Sequence, residues 1–324
     1  MLARVADNLY WMSRHLERAD QTARLLDVQV GSLADHPAAA VAGGWRRLFR
    51  ALHVTPPGRL EFFADTADED FLLADAYALA DFMTFEPDNP GSVRSLWASA
   101  RENARQARQE ISSEMWARMN RAYLKLRDTE MHSFWNAEPQ NFYRDTSANV
   151  SLFRGITDNS LRHGQAWDFI RLGRFIERIQ ITAEILEAHR PALGSEGDTL
   201  DWSLLLRGCA SFEPYCKRHT ALIEPTRVME FLLFEPRSPH SLRFAAEMLR
   251  SGLRRVDPIG GGRHPLAPPH RLVGRLRSIL AYSSGREDLF ERTLAQVRAI
   301  ASSLHDEINN RYMFYSADQA IRMG

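Results

Sequence analysis

The chain has 324 residues, enough for one large domain or two ordinary ones, and its hydrophobic content of 44% suffices for a sizeable core. Its 41 basic and 41 acidic residues give a net charge of zero, and every basic residue except Lys125 and Lys217 is an arginine. This balance argues against a nucleic-acid coat or a polybasic membrane binder, both of which need an excess of positive charge.

The first predicted element is a long amphipathic helix over residues 2–30. Apolar residues recur there every three or four positions, from Val5 to Val30, and Gly31 offers a C-terminal stop. Charged residues interrupt this N-terminal stretch from Arg4 onward, and it lacks the apolar run and the small-residue cleavage site of a signal peptide. No stretch approaches the roughly 18 uncharged apolar residues of a membrane span, so we expect no contact with a membrane.

Two more apolar seams predict helices further along the chain. One runs from Val93 to Leu126 and predicts a single helix of about ten turns. The other runs from Phe169 to Leu186 and is ended by Pro191. No comparable set of alternating, period-two segments occurs, so the predicted fold class is all-α.

The chain has two cysteines, Cys209 and Cys216, which we predict to lie on one helix. Two helical turns would hold them about 10 Å apart, too far for a disulfide. Reduced thiols are typical of a cytoplasmic protein, and this is the location we expect.

Three segments of the first half of the chain recur in the second half in the same order. Residues 14–23 resemble 174–183, the segment at Trp45 resembles that at Trp202, and residues 82–94 resemble 231–243. The offsets shrink from 160 to 157 to 149 residues, as expected for a duplicated unit whose loops have shortened. The predicted architecture is a helical bundle of two duplicated halves, residues 1–150 and 151–324, packed as one unit.

The duplication preserves a polar stripe on the first helix of each half. The unchanged residues are Arg14, Glu17 and Arg18 in the first half and Arg174, Glu177 and Arg178 in the second. Gln21 lies on the same helix face, and Ile181 takes its place in the second half. A solvated face with an ion pair between Arg14 and Glu17 would explain one stripe. Its recurrence leaves three interpretations open: a buried structural Arg–Glu network, a ligand or partner site, or chance.

A proline-containing corner is the second repeated polar feature. Asn89 and Ser238 are predicted to cap the helices that follow, with a proline at the first helical position of each. Ser92 and Ser241 would then lie in the first turn, where backbone amides and the helix dipole can hold an anion.

An arginine follows each of these serines two residues later. Because the guanidinium fork can hold a carboxylate through two parallel bonds, we expect Arg94 to meet Glu17 and Arg243 to meet Glu177. Corner and stripe would then form one ligand- or partner-binding site in each half.

The sequence lacks the common catalytic and metal-binding motifs. It contains no His-Glu-x-x-His, Cys-x-x-Cys, Glu-x-x-His or Gly-x-Ser-x-Gly pattern, so no metal, cofactor or catalytic set is predicted. Glu17 is a poor candidate for a general base, because flanking arginines should keep it ionised and weakly basic.

Several segments together resemble the bacterial alpha-E family, a predicted α-helical domain named for a Glu-Arg motif. They span almost the whole chain and comprise residues 1–12, Glu17-Arg18-Ala19, 82–94, 111–116, 155–158 and 172–178. The sequence departs from the family at Arg162-His163-Gly164, where an acidic residue more often follows the arginine, and at Ile179, where alanine is usual.

The resemblance implies partners rather than a reaction. Members of the family look like companions of a circularly permuted ATP-grasp protein and a transglutaminase-like cysteine peptidase. The chain is thus expected to be a non-catalytic partner or substrate-binding subunit of an amide- or peptide-ligase system. The alternative is an enzyme acting on a carboxylate- or phosphate-bearing substrate at the Arg/Glu/Ser site, and a third interpretation makes both stripes purely structural.

Overall fold

The computed structural model describes residues 1–57, 69–193, 199–219, 222–258, 266–283 and 287–313. Within these ranges the chain forms α-helices joined by turns and short 3-10 segments, without β-strands, so the predicted all-α class is confirmed. The helices up to residue 160 are α1 (Ala3–Gly31), α2 (Ala38–Leu52), α3 (Glu69–Phe85), α4 (Val93–Gln106), α5 (Ser113–Arg127) and α6 (Pro139–Ser160). Those that follow are α7 (Gln165–His189), α8 (Thr199–Gly208), α9 (Phe212–His219), α10 (Pro225–Phe234), α11 (Leu242–Val256), α12 (Pro268–Tyr282) and α13 (Glu287–Tyr312).

The predicted first helix is confirmed as α1, and the predicted helix ending near Pro191 is confirmed as α7. Both helices are buried along most of their length because each is surrounded by other helices. The prediction of one long helix over residues 93–126 is wrong. The helix stops at Gln106, and a second one begins after Ser112, whose hydroxyl accepts a hydrogen bond from the backbone N–H of Met115.

The break turns α4 and α5 into an antiparallel hairpin. Arg101 of α4 donates to Oδ1 of Asn120 in α5 at 2.7 Å, and its guanidinium lies over the rings of Trp116 and Tyr123. The apolar seam continues through the break because both helices bury their apolar residues in the same core.

The two cysteines also lie on either side of a break, contrary to the prediction of one shared helix. Cys209 follows the end of α8, and Cys216 lies in α9. Ala210 between them adopts a left-handed backbone conformation with φ of 49°, which ends the helix. Both thiols are free, and burial raises the pKa of the Cys209 thiol to about 12.

Eight of the described helices pack as two groups of four, and one helix of each group forms a central pair. In the first group α1 packs against α4 and α6, and α5 packs against both of these; in the second, α7 packs against α11 and α13, and α12 packs against both. Helices α1 and α7 form the central contact. Two helices outside these groups also pack onto the central pair: α2 lies against α7, and α8 lies against α1.

The same arrangement of four helices occurs in both groups, as expected for a duplicated unit. Descent of the two halves from one unit stays a prediction. The division at residue 150 also stays a prediction, and α6 runs across that position from Pro139 to Ser160. Of the described helices, none combines the length and apolar character needed to cross a membrane.

Candidate functional site

The site is built where α1 and α7 cross in close contact. A side chain on Gly173 would bring its Cβ to 2.1 Å from the backbone oxygen of Tyr10, so only glycine allows this approach. The two helices run in the same direction, since contacts join residues of α1 to residues of α7 between 159 and 166 positions later. This geometry places the two polar stripes face to face.

Glu177 of α7 accepts from two arginines of α1. Arg14 donates its Nε–H to Oε2 at 2.7 Å, and Arg18 donates its Nε–H to Oε1 at 2.5 Å. Arg14 also donates to the side-chain oxygen of Gln180 at 2.7 Å. The carboxylate of Glu177 is buried, so both of its oxygens depend on these arginines for their hydrogen bonds.

Glu17 of α1 is held from the opposite side. Arg178 of α7 grips it with two bonds, Nε to Oε1 at 2.6 Å and Nη2 to Oε2 at 3.0 Å. Arg154 of α6 donates to Oε2 at 2.5 Å and to Oδ2 of Asp20 at 2.8 Å, and Asp20 in turn pairs with Arg24 at 3.0 Å. Each glutamate therefore pairs with arginines from outside its own helix.

The ion pair between Arg14 and Glu17 that a solvated face would contain is not formed, because each side chain pairs with a residue of α7 instead. Of the three interpretations of the stripe, the first describes its geometry: it is a buried Arg–Glu network across the central helix pair. We refer to Arg14, Glu17, Arg18, Asp20, Arg154, Glu177 and Arg178 as the crossed network. Whether it also binds a ligand or partner stays a prediction.

The electrostatics of the crossed network keep both glutamates ionised. Burial opposes ionisation of Glu17, but Arg154 and Arg178 outweigh it and lower its pKa to about 2. Burial likewise opposes ionisation of Glu177, and Arg14 and Arg18 lower the pKa of that carboxyl as well. Neither carboxylate suits general-base chemistry near neutral pH, as the sequence suggested for Glu17.

Aromatic residues and a histidine enclose the Arg14 end of the crossed network. The guanidinium of Arg14 lies 4.5 Å from the ring centre of Trp11, and Nη1 lies 2.8 Å from Nδ1 of His305 in α13. The His305 ring stacks on Tyr10, whose hydroxyl lies 2.8 Å from the same nitrogen. Burial and the nearby Arg14 lower the pKa of His305 to about 4, so this histidine is neutral at pH 7.

Three members of the site were missed by sequence reasoning: Asp20, Arg154 and His305. Asp20 did not stand out in the sequence, because the repeat does not preserve it and Gln180 takes its place in the second half. Both residues nevertheless accept a hydrogen bond from an arginine, Asp20 from Arg154 and Gln180 from Arg14. No motif or repeat in the sequence singled out Arg154, which lies on α6.

The corner residues lie elsewhere and act as helix caps. The helices begin three residues later than predicted, because Ser92 and Ser241 are themselves the N-caps: Ser92 accepts from the backbone of Ser95, and Ser241 from that of Phe244. Both hydroxyls are buried and are committed to the caps. Asn89 instead holds the preceding turn by accepting from the backbone of Gly91 at 2.9 Å.

The expected pairs of Arg94 with Glu17 and of Arg243 with Glu177 are wrong. Arg94 points toward the connection between α5 and α6, where it donates to the carbonyl of Thr129 at 2.8 Å. Arg243 reaches the carbonyl of Phe234 at 3.5 Å. The glutamates are already saturated by arginines of the central helices and of α6.

Gln21 of α1 is bonded to the C-terminal end of α8. Its side-chain amide donates to the backbone carbonyl of Gly208 at 2.7 Å and is buried there. Arg174, the counterpart of Arg14, makes no hydrogen bond or ion pair with any residue of the described ranges, and its Nε is buried.

A cleft of about 680 Å³ opens beside the C-terminal half of α1, between α6, α8 and α9. Its charged lining carries both signs: Arg24, Asp27, Asp35, Arg144, Arg207 and Glu213. Apolar side chains from α1, α8 and α9 complete the walls: Val28, Leu200, Leu204 and Phe212. Arg24 joins the cleft to the crossed network through its ion pair with Asp20.

No group of three or more His, Cys, Asp or Glu side chains in the described ranges is arranged to hold a metal ion.

The sequence pattern of the Alpha-E family, described as a predicted alpha-helical domain with a conserved ER motif, matches residues 1–313. The chain belongs to the Alpha-E family. Two of its Glu-Arg pairs, Glu17-Arg18 and Glu177-Arg178, supply the centre of the crossed network, where its two central helices meet.

Relatives of this Alpha-E chain occur in mycobacteria. Uncharacterized proteins of Mycobacterium bovis and Mycobacterium tuberculosis are 26% identical to it over 94% of its length. The chain spans only about 36% of the length of these relatives. No solved structure matches it.

Proposed function

We propose that the chain is a non-catalytic substrate-binding subunit that works with a circularly permuted ATP-grasp amide or peptide ligase and a transglutaminase-like peptidase. In this proposal the cleft between α1, α6, α8 and α9 receives the peptide on which the partner acts, and the crossed network keeps the walls of the cleft in place.

The cleft is the observation that carries this proposal. It combines carboxylates, guanidinium groups and apolar side chains, which together suit the charged ends and the side chains of a peptide. The guanidinium of Arg207 lies 4.0 Å from the ring centre of Phe212, so these two side chains form one flat wall of the cleft. The mycobacterial relatives give further support, because there the matched segment is about a third of a longer chain and stands beside other sequence.

An enzyme acting at the Arg/Glu/Ser site has less support from this geometry. It would need the hydroxyls of Ser92 or Ser241 to reach a substrate, whereas both are buried helix caps. It would also need a carboxylate able to take a proton near pH 7, and the pKa of Glu17 is lowered to about 2.

The proposal is tested by mixing the purified chain with the purified ATP-grasp protein. We expect the two to elute together in size-exclusion chromatography and the chain to raise peptide-dependent ADP release by the ATP-grasp protein. Absence of a complex together with unchanged ADP release would contradict the proposal.

A pair of matched variants locates the peptide. Ser203→Trp places a large ring in the cleft and should suppress the rise in ADP release while leaving the complex intact. Ser302→Trp places the same ring on an exposed face of α13 and should change neither. Equal effects of both variants would show that the peptide does not occupy the cleft.

A further inference from the structure

Arg174 differs from every arginine of the crossed network in having no acceptor. Its counterpart Arg14 bonds to Glu177 and Gln180, whereas Arg174 makes no hydrogen bond or ion pair in the described part of the chain. The reason is Arg154: this arginine of α6 takes the second place on Glu17, which the symmetry of the repeat assigns to Arg174.

The surroundings of Arg174 concentrate positive charge. Arg178 and Arg154 are close enough to act on it electrostatically, and Glu17, the nearby carboxylate, is already shared between these two. Asp158 supplies the other attraction. Burial, followed by repulsion from Arg178 and Arg154, lowers the pKa of Arg174 to about 9.

This arrangement is unfavourable for the chain alone. A largely buried guanidinium without an acceptor loses its hydration, and like charges beside it add repulsion. Burial is complete at Nε, whereas the residue as a whole is only partly buried, so part of the side chain remains open to a ligand. The ring of Phe175 lies 4.7 Å from the guanidinium carbon and covers one of its faces.

We propose that Arg174, backed by Arg178 and Arg154, is an oxyanion site that binds a carboxylate or phosphate group of a ligand. The planar fork of Arg174 can donate two parallel bonds to such a group. Arg178 and Arg154 repel the guanidinium of Arg174, and a bound anion would offset this repulsion. None of these three arginines lines the cleft, so the proposal stands apart from the proposed function.

The site is tested by thermal unfolding in potassium phosphate, potassium glutarate and potassium chloride at equal ionic strength. We expect phosphate or glutarate to raise the Tm of the unmodified protein above its value in chloride, because a ligand that binds the folded state stabilises it. Phosphate also stabilises folded proteins without binding a site, so only a rise that Arg174→Gln removes counts as binding. Such a rise with phosphate alone identifies a phosphate ligand, and such a rise with glutarate alone identifies a carboxylate. No rise with either anion would overturn the proposal.

Two variants separate ligand binding from a structural role. Arg174→Gln should raise the apparent Kd for the anion by about tenfold or more, as expected for the loss of a charge-assisted fork. In chloride its Tm should equal or exceed that of the unmodified protein, because the repulsion from Arg178 and Arg154 is gone. Arg190→Gln removes an arginine just beyond the end of α7, where it pairs with Glu187, and should leave anion binding unchanged.

Either of two results with Arg174→Gln would refute the site. An anion-dependent Tm rise as large as that of the unmodified protein would show that the anion binds elsewhere. A lower Tm in chloride would show that Arg174 is a structural residue of the central helix pair.

Discussion

At the scale of single residues, Glu17 shows how a buried carboxylate is kept charged. Its two oxygens take three hydrogen bonds from Arg178 and Arg154, and only 3% of the residue is exposed. Removing the carboxylate would leave both guanidinium groups buried without their main acceptor, which is costly because buried ions lose their hydration.

The lowered pKa of Glu17 has a consequence for acid stability. The pKa is about 2 in the folded protein against an ordinary 4.5, so the carboxylate contributes stability above about pH 4.5 and loses that contribution as pH falls toward 2. We expect Glu17→Gln to be less stable than the unmodified protein at pH 7 and the difference to narrow as pH falls from about 5 to about 2. Urea unfolding of both proteins across this pH range measures the difference in their free energies of unfolding. A difference that stays constant with pH would contradict a lowered pKa of Glu17.

At the scale of elements, the contact between α1 and α7 depends on the absence of a side chain at Gly173. A methyl group there would meet a backbone oxygen, which cannot move aside as a flexible side chain can. The two helices would have to separate, and separation would stretch the ion pairs that cross between them.

We expect Gly173→Ala to lower the free energy of unfolding by about 1–3 kcal/mol or more, the range for overpacking a tight interface. The matched control is Gly155→Ala in the middle of α6, where an added Cβ meets nothing within 4 Å. That change should stabilise the protein by up to about 1 kcal/mol, because alanine favours a helix over glycine. Urea unfolding measures the free energy of unfolding of both variants. Equal effects would show that α1 and α7 do not meet as closely as described.

Periodicity located the helices better than it located their ends. Residues 3–31 and 165–189 follow directly from the apolar seam, since both helices lie in the middle of the bundle. The break after Gln106 was not predictable from the seam, because α4 and α5 bury their apolar residues in one core. The serine caps were misplaced by three residues, since Asn89 is as good a cap as Ser92 by residue type alone.

The members of the crossed network were predictable only where the repeat preserves them. Arg14, Glu17 and Arg18 stood out because their counterparts are unchanged, but the repeat gives no distances. Pairing Glu17 with Arg94 rested on residue chemistry, and Arg154 met the same need from a helix that the repeat did not highlight. The partners of a buried charge depend on which helices surround it, and that is a property of the packing.

At the scale of the whole molecule, the crossed network joins the two four-helix groups. Each of its glutamates lies in one group and accepts from an arginine of the other, Glu17 from Arg178 and Glu177 from Arg18. The packing of α2 against α7 and of α8 against α1 strengthens the same junction. The two groups thus form one bundle, and the Glu17-Arg18 and Glu177-Arg178 pairs lie at its centre.

The central claim is that the Glu-Arg pairs hold α1 and α7 together, and a double-mutant cycle on Glu17 and Arg178 tests it most directly. Free energies of unfolding are measured for the unmodified protein, Glu17→Gln, Arg178→Gln and the double variant, with Glu102 and Arg105, an exposed pair within α4, as the control cycle. We predict a coupling of about 1–3 kcal/mol for Glu17 and Arg178 and a value near zero for the control. Additive effects of Glu17→Gln and Arg178→Gln would contradict the account.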